Sequence, residues 1–161
     1  MSDRAVVLIP SRMTATRLPG KPLADILGTP MIVHVWRRGV EAGIGPVVIA
    51  CDDQRIADVV IAAGGEAVLT DPNHPSGSDR IFEALNRYDP DGRFDVVVNV
   101  QGDLPTIEAA AVKAAFAPLD DPAVDIATIA AEITVEEEKT NPNVVKAVGT
   151  PIGPDRLRAL Y

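Results

Sequence analysis

Short runs of apolar residues, rich in valine and isoleucine, recur along the chain with more polar segments between them. Most of these runs are continuously apolar rather than alternating with polar residues, which is typical of strands that are covered on both faces in a parallel sheet. We therefore predict strands at residues 5–9, 46–50, 66–69, 95–100 and 125–133.

The segments between these runs space their apolar residues as amphipathic helices do. We predict helices within residues 29–43, 52–65, 78–88 and 106–119. In the first of them Thr29 is the expected N-cap, Pro30 the first helical residue and Gly43 the expected stop. Alternating strands and helices predict an α/β fold in which helices flank a mostly parallel, mixed central sheet.

Length and composition favour one α/β domain over residues 1–161, because 161 residues with 47% hydrophobic content can bury one core. The last residues, Arg158 to Tyr161, resemble the beginning of a strand, so we expect the sequence to be part of a longer chain. A single cysteine, Cys51, excludes an internal disulfide and fits a reducing cytoplasm. Without a leader or a membrane-length apolar run, we expect a soluble cytoplasmic protein with no membrane partner.

Charge is distributed unevenly along the sequence. The chain has 23 acidic and 15 basic residues and a net charge of −8, which argues against a nucleic-acid partner. Residues 4–23 nevertheless contain four basic residues and no acidic one. A basic loop in an acidic protein predicts a small anionic ligand that is held at one place.

The basic loop follows the first predicted strand, and ligands of parallel α/β sheets bind beyond the carboxyl ends of strands. Its Arg12, Arg17 and Lys21 are candidates to pair with phosphate groups. Gly20 allows the backbone to come close to a ligand. The alternative is an ordinary solvent-exposed loop stiffened by proline.

The segment "HPSGSDR", residues 74–80, leads into the third predicted helix. Its turn at Ser76 and Gly77 presents backbone N–H groups and a hydroxyl that can hydrogen bond the edge of a base, and Arg80 belongs to the same region. The alternative is a plain helix start. His74 has no partner at the spacing of a metal-binding motif, so we do not expect it to bind a metal.

Acidic residues follow two other predicted strands. Asp52 or Asp53 is expected to cap the next helix. Asp103 directly follows a strand and a glycine and is a candidate ligand for Mg²⁺, which takes one or two carboxylates together with substrate phosphates. Its alternative role is to cap the helix expected near Thr106. Taken together, the loops predict a triphosphate site with cations, a metal-binding carboxylate and a polar turn for a base.

Four segments now permit a family comparison, because "IPSRMTATRLPGKPL", "ACDDQRI", "HPSGSDRI" and "VNVQGDLP" occur in this order and at these separations. The sequence resembles the 3-deoxy-manno-octulosonate cytidylyltransferases, also called CMP-Kdo synthetases, which activate the sugar acid Kdo for lipopolysaccharide synthesis. The resemblance implies a nucleotide-diphosphosugar-transferase-like (Rossmann-like) α/β fold. It also implies the reaction of CTP with Kdo to give CMP-Kdo and pyrophosphate.

The resemblance also implies roles for individual residues. Lys21, Arg12 and Asp103 would be catalytic, and Asp103 would bind the Mg²⁺ cofactor. The implied nucleotide-binding residues are Ser11, Arg12, Lys21, Ser76, Gly77, Arg80 and Gln101. The family usually has alanine where Ser11 stands and glutamate where Leu104 stands, and the latter departure puts a polar role beside Asp103 in doubt.

Three points from the resemblance concern the whole protein. It implies that CTP and Kdo are the substrates and that the full-length enzyme is a homodimer. It also places most of the sugar site and a second metal-binding aspartate beyond Tyr161. Alternatives that the residues leave open are a cytidylyltransferase for another sugar acid, a nucleotide-binding module without turnover, and a structural domain with no ligand.

Overall fold

The structure is a computed structural model that describes residues 4–14 and 18–160. Contacts divide this part of the chain into two compact units, one up to Ala127 and one from Thr128 onwards. The prediction of one domain over residues 1–161 stays a prediction. Arg17, one of the three cations expected in the basic loop, lies outside the described residues.

The described residues form eight strands and five α-helices, numbered in chain order. The strands are β1 (Ala5–Ser11), β2 (Asp25–Ile26), β3 (Thr29–Pro30), β4 (Val47–Cys51), β5 (Glu66–Leu69), β6 (Val96–Asn99), β7 (Gly149–Gly153) and β8 (Arg156–Ala159). The helices are α1 (Met31–Ala42), α2 (Gln54–Ala62), α3 (Gly77–Tyr88), α4 (Ala109–Phe116) and α5 (Glu136–Thr140), with short 3₁₀ helices at Lys21–Leu23 and Ala117–Asp120.

The first unit is built on a four-stranded sheet in the order β5-β4-β1-β6. All three strand pairs are parallel, with Ser11 beside Cys51 in one pair and Leu8 beside Asn99 in another. The predicted α/β fold with a parallel central sheet is therefore confirmed. Parallel pairing brings the carboxyl ends of all four strands to one edge of the sheet.

Both faces of the sheet are covered, as the continuously apolar strands predict. Side chains alternate along β1, so that Val7 and Ile9 pack with residues of α1, α2 and α4. Val6 and Leu8 point to the opposite face, where they pack with Ile81 of α3. All four of these β1 side chains are fully buried, so the strand at the centre of the sheet is also the centre of the core.

The start of α1 differs from the sequence-based expectation. Thr29 is wrong as the N-cap, because Thr29 and Pro30 pair with Ile26 and Asp25 in the antiparallel hairpin β2–β3. Pro30 therefore takes the N-cap position, with an extended backbone and without a side-chain cap. Gly43 is confirmed as the stop, since it ends α1 in the left-handed conformation with a φ of 61°.

The strand predicted at residues 125–133 is wrong, because none of the described strands includes these residues. Most of its apolar side chains are exposed, and Ile126, for example, is 89% exposed. An apolar run becomes a strand only where a partner strand satisfies its backbone, and this segment has no ladder partner in the described part of the chain.

The second unit contains α5 and the antiparallel pair β7–β8, whose register shifts between Pro151 and Gly153. The strand expected to begin at Arg158 is thus present and begins earlier, at Arg156. Among the described residues of the whole chain, no helix has both the length and the apolar content needed to cross a membrane.

The tip of the β2–β3 hairpin generates a stability prediction. Leu27 and Gly28 form a two-residue turn with φ values of 52° and 79°, and Leu27 is 97% exposed. Left-handed conformation is unfavourable for leucine, whereas Asn-Gly is the preferred sequence of such turns. We expect Leu27→Asn to raise the free energy of unfolding by about 1 kcal/mol, measured by urea denaturation. Leu27→Ala removes the leucine side chain without adding a polar group that can hydrogen bond locally, so it is the control and should give no comparable gain.

Candidate functional site

A cavity of about 470 Å³ lies in the first unit at the edge of the sheet where β1 and β6 end. It is lined by the basic loop, the 74–80 segment and the residues that follow β6. The structure thereby brings together all the described residues that the sequence analysis assigned to the site, namely Ser11, Arg12, Lys21, Ser76, Gly77, Arg80, Gln101 and Asp103.

The basic loop leaves β1 and returns to the cavity at Lys21. The N–H of Gly20 donates to the carbonyl oxygen of Met13 over 3.1 Å, which closes the loop at its base. Gly20 has a φ of 71°, a conformation that favours glycine, and it immediately precedes the 3₁₀ helix that begins at Lys21. Arg12 is exposed and lies on the cavity wall.

An ion pair crosses the cavity between the basic loop and the segment after β6. Nζ of Lys21 lies 2.7 Å from Oδ2 of Asp103, and the two side chains are 35% and 53% exposed. Asp103 is not a helix cap, because α4 begins at Ala109 with Glu108 as its N-cap. The alternative role proposed for Asp103 from the sequence is therefore excluded, and its carboxylate faces the cavity beside a cation.

Gly102 sets the position of Asp103 against the end of β1. A Cβ at residue 102 would lie 2.4 Å from the carbonyl oxygen of Pro10, closer than any side chain can approach. Only glycine permits this contact between the two backbone segments. The glycine is therefore required by the close approach of β1, and it places the neighbouring carboxylate at the cavity.

Arg80 is buried at the cavity wall rather than extended into solvent. Its side chain is 3% exposed, and Nη1 donates to Oγ1 of Thr70 over 2.5 Å. Nη2 lies 3.9 Å from Oδ2 of Asp52, whose side chain is 4% exposed. Oδ1 of Asp52 accepts a hydrogen bond from the N–H of Met13 over 3.0 Å. The expectation that Asp52 merely caps a helix missed this buried connection.

Capping falls instead to the neighbouring acid and to Ser76. Asp53 is the N-cap of α2, and the Arg55 side chain and N–H that donate to it lower the pKa of its carboxyl to about 2. Ser76 is the N-cap of α3 and accepts from the N–H of Asp79 over 3.2 Å. Ser76 thus starts a helix, as its alternative interpretation holds, and also lines the cavity.

His74 is a cavity residue to which the sequence analysis assigned no role. Its Nε2 forms a hydrogen bond with Oε2 of Glu83, one turn and a half into α3. That contact is the main reason why the pKa of Glu83 is lowered, and an N–H bond from Asp71 adds to it. Periodicity alone offers no signal for this pair, because the two residues belong to different elements.

Two other side chains limit the chemistry of the site. Burial raises the pKa of the Cys51 thiol to about 11, so it remains protonated at neutral pH and is a poor nucleophile.

Ser11 Oγ is buried at the cavity wall and has no hydrogen-bond partner within the described structure. A buried hydroxyl is normally satisfied, so the cavity favours a polar ligand.

A divalent cation fits this donor set only together with a ligand. Asp103 is one carboxylate at the cavity, and the described residues contain no cluster of three or more histidine, cysteine or acidic side chains. Mg²⁺ is commonly held by one or two carboxylates while substrate phosphates supply further oxygens. The residues present therefore suit a cation that arrives with a phosphorylated ligand better than a permanently bound ion.

Sequence comparisons agree with this geometry. The family model described as Cytidylyltransferase matches residues 6–152. The 3-deoxy-manno-octulosonate cytidylyltransferase of Paramagnetospirillum magneticum is 63% identical over 97% of this chain, and that of Nitrobacter winogradskyi is 65% identical over 99%. The resemblance recognised in the sequence is confirmed. This chain spans 64% and 63% of the length of these two relatives.

Solved structures give the same result for the fold. A structure of CMP:2-keto-3-deoxy-manno-octonic acid synthetase in complex with CTP superposes with a TM-score of 0.70. It is 42% identical, and the match covers 75% of this chain and 49% of that one. A cytidylyltransferase from Leptospira borgpetersenii superposes with a TM-score of 0.62 at 22% identity, covering 74% and 50% of the two chains, and supports the fold alone.

The close approach at Gly102 predicts a large cost for adding one methyl group. Gly102→Ala forces the segment after β6 away from Pro10, and we expect the free energy of unfolding to fall by about 1–3 kcal/mol in urea denaturation. Gly77→Ala is the matched control, because a Cβ there would lie 3.4 Å from the Pro10 ring, an ordinary contact. Equal stability losses in the two variants would contradict this account of Gly102.

Proposed function

The chain belongs to the cytidylyltransferase family, and from that premise we propose that it carries the nucleotide site of an enzyme that transfers a cytidylyl group from CTP to Kdo. The observation that supports this most directly is the single cavity that gathers the basic loop, the 74–80 turn and Asp103. The products would be CMP-Kdo, a precursor for lipopolysaccharide synthesis, and pyrophosphate.

The phosphates of CTP would bind at the basic side of the cavity. Arg12 and Lys21, two cations of the described part of the basic loop, line the cavity wall in an otherwise acidic protein. The Ser11 hydroxyl is buried and has no hydrogen-bond partner among the described residues, so the ligand would supply one. Ser76, Gly77 and Arg80 would surround the cytosine, and Gln101 would lie near the nucleotide and the sugar.

Asp103 would hold Mg²⁺ together with phosphate oxygens. When bound, the ion neutralises charge on the phosphates and favours loss of the proton from the attacking hydroxyl. Nζ of Lys21, which is 2.7 Å from Oδ2 of Asp103, is then free to pair with phosphate instead of the carboxylate. The ion pair thus keeps both groups at the cavity in the absence of ligand.

The proposed reaction is an in-line displacement at the α-phosphorus of CTP. The anomeric hydroxyl oxygen of Kdo forms a bond to that phosphorus, and the bond from the phosphorus to the oxygen that bridges it to the β-phosphate breaks. Pyrophosphate leaves with the electron pair of the broken bond, and the hydroxyl proton passes to solvent water. Lys21 and Arg12 stabilise the charge that grows on pyrophosphate as it leaves. Such transfers depend on positioning and charge neutralisation, so the chain needs no nucleophilic side chain.

Cytosine would be distinguished from uracil at the 74–80 turn. Backbone carbonyl groups there can accept hydrogen bonds from the exocyclic amine of cytosine, and uracil would leave them unpaired. The cytoplasmic location expected from the sequence and the homodimer implied by the resemblance belong to the same proposal.

Nucleotide selectivity tests the proposed function. Calorimetric titration of the chain with CTP, UTP and ATP in Mg²⁺ should show CTP binding tighter than UTP by on the order of a hundredfold, because UTP would leave unpaired the carbonyl acceptors that the bound base covers. Circular dichroism of the same sample establishes that the chain is folded. Equal affinity for all three nucleotides would contradict the assignment of the base site.

The metal role of Asp103 has a separate test. We expect Mg²⁺ to raise the affinity of the unchanged chain for CTP. In Asp103→Asn the increase in affinity that Mg²⁺ produces should be at least about tenfold smaller, since the substitution deletes the carboxylate ligand. Asp58→Asn, an exposed carboxylate on α2 away from the cavity, is the control and should keep the gain. A full Mg²⁺ response in Asp103→Asn would exclude Asp103 as the ligand.

A further inference from the structure

We propose that Asp52 is a positioning residue, whose buried carboxylate holds the basic loop and Arg80 in place together. The consequence for CTP rests on the proposed nucleotide site. Asp52 directly follows β4, and its neighbour Cys51 is paired with Ser11 at the end of β1. This carboxylate therefore lies at the edge of the sheet where the loops after β1 and β4 begin.

The first connection runs to the basic loop. Oδ1 of Asp52 accepts from the N–H of Met13 over 3.0 Å, a bond between residues 39 positions apart in the sequence. Met13 also accepts, through its carbonyl oxygen, the hydrogen bond from Gly20 that closes the loop. Met13 thus makes two hydrogen bonds: its N–H donates to Asp52, and its carbonyl oxygen accepts from Gly20 at the base of the loop. Arg12 directly precedes that residue and lines the cavity.

The second connection runs to α3. Asp52 and Arg80 are 4% and 3% exposed at the side chain, and Oδ2 lies 3.9 Å from Nη2. A buried guanidinium needs a nearby negative charge, because its desolvation is otherwise uncompensated. Arg80 also donates to Thr70, whose hydroxyl donates to the carbonyl oxygen of Cys51 over 3.0 Å. These contacts connect Asp52, Arg80 and Thr70 to Cys51, the residue that precedes Asp52 in the sequence.

The neighbouring carboxylate shows that this arrangement is particular to residue 52. Asp53 caps α2 and pairs with Arg55, and its side chain is 24% exposed. The side-chain partner of Asp53 is Arg55, which belongs to the helix that Asp53 caps. Neither aspartate lines the cavity itself, but the partner of Asp52, Arg80, does. Two adjacent aspartates therefore have separate tasks: Asp53 starts a helix, whereas Asp52 links two walls of the cavity.

This connection predicts that the Asp52 carboxylate positions both the basic loop at the phosphate side of the site and Arg80 at the base side. Loss of the carboxylate would release the Met13 N–H and leave the Arg80 charge unbalanced at the same time. Asn at position 52 keeps an oxygen for the Met13 N–H but removes the charge. Ala removes both, so the two variants separate the contribution of the hydrogen bond from that of the charge.

Hydrogen exchange tests the structural half of the inference without any nucleotide. In Asp52→Ala we expect the Met13 amide to exchange about tenfold faster than in the unchanged chain. In Asp53→Ala, which loses a helix cap, it should exchange at the unchanged rate. Unaltered protection of Met13 in Asp52→Ala would overturn the inference, whether or not the chain binds CTP.

CTP affinity tests the functional half. Asp52→Ala should weaken CTP binding by about tenfold, Asp52→Asn should recover part of that loss, and Asp53→Ala should bind as the unchanged chain does. In a chain that already carries Arg12→Ala, the loss of CTP affinity caused by Asp52→Ala should be smaller, because the loop no longer provides the contact of Arg12 with phosphate. An equal loss in both backgrounds would overturn positioning through the loop. If the unchanged chain fails to bind CTP, the proposed function fails, and hydrogen exchange alone decides the role of Asp52.

Discussion

Parallel pairing of β1 with a strand on each side is the constraint on which the rest of the structure depends. The register that places Ser11 beside Cys51 and Leu8 beside Asn99 brings three loops to one edge of the sheet. It also presses Gly102 against the Pro10 carbonyl group, which leaves no room for a side chain. A shift of the register would separate Asp103 from the basic loop and dismantle the cavity.

The ion pair of Lys21 with Asp103 and that of Arg80 with Asp52 differ in burial, in a protein that carries a net charge of −8. The exposed pair of Lys21 and Asp103 can separate at little cost, because surface ion pairs contribute little to stability. The buried pair of Asp52 and Arg80 cannot, since either charge alone would be uncompensated. A buried ion pair beside the cavity is thus combined with a partly exposed pair that lines it and that a charged ligand can separate.

Periodicity and loop position in the sequence predicted the parallel sheet and the residues that meet at its edge. Three features could not be predicted from the sequence, each for a physical reason. Residues 125–133 carry a strand-like apolar run, but strand formation depends on a partner that periodicity does not report. The hairpin at Leu27 and Gly28 has only a two-residue turn as its signal. Asp52 and Asp53 are alike in sequence, and only the fold shows which is buried.

We propose that the cavity at the end of β1 and β6 binds the cytidine nucleotide. The most direct measurement is a titration of ¹⁵N-labelled chain with CTP and Mg²⁺, followed through its amide NMR resonances. Binding at this cavity predicts the largest shifts at Ser11, Gly77 and Gly102, which line it. Shifts confined to another region, such as the β2–β3 hairpin, would contradict it, and so would an unchanged spectrum at millimolar CTP.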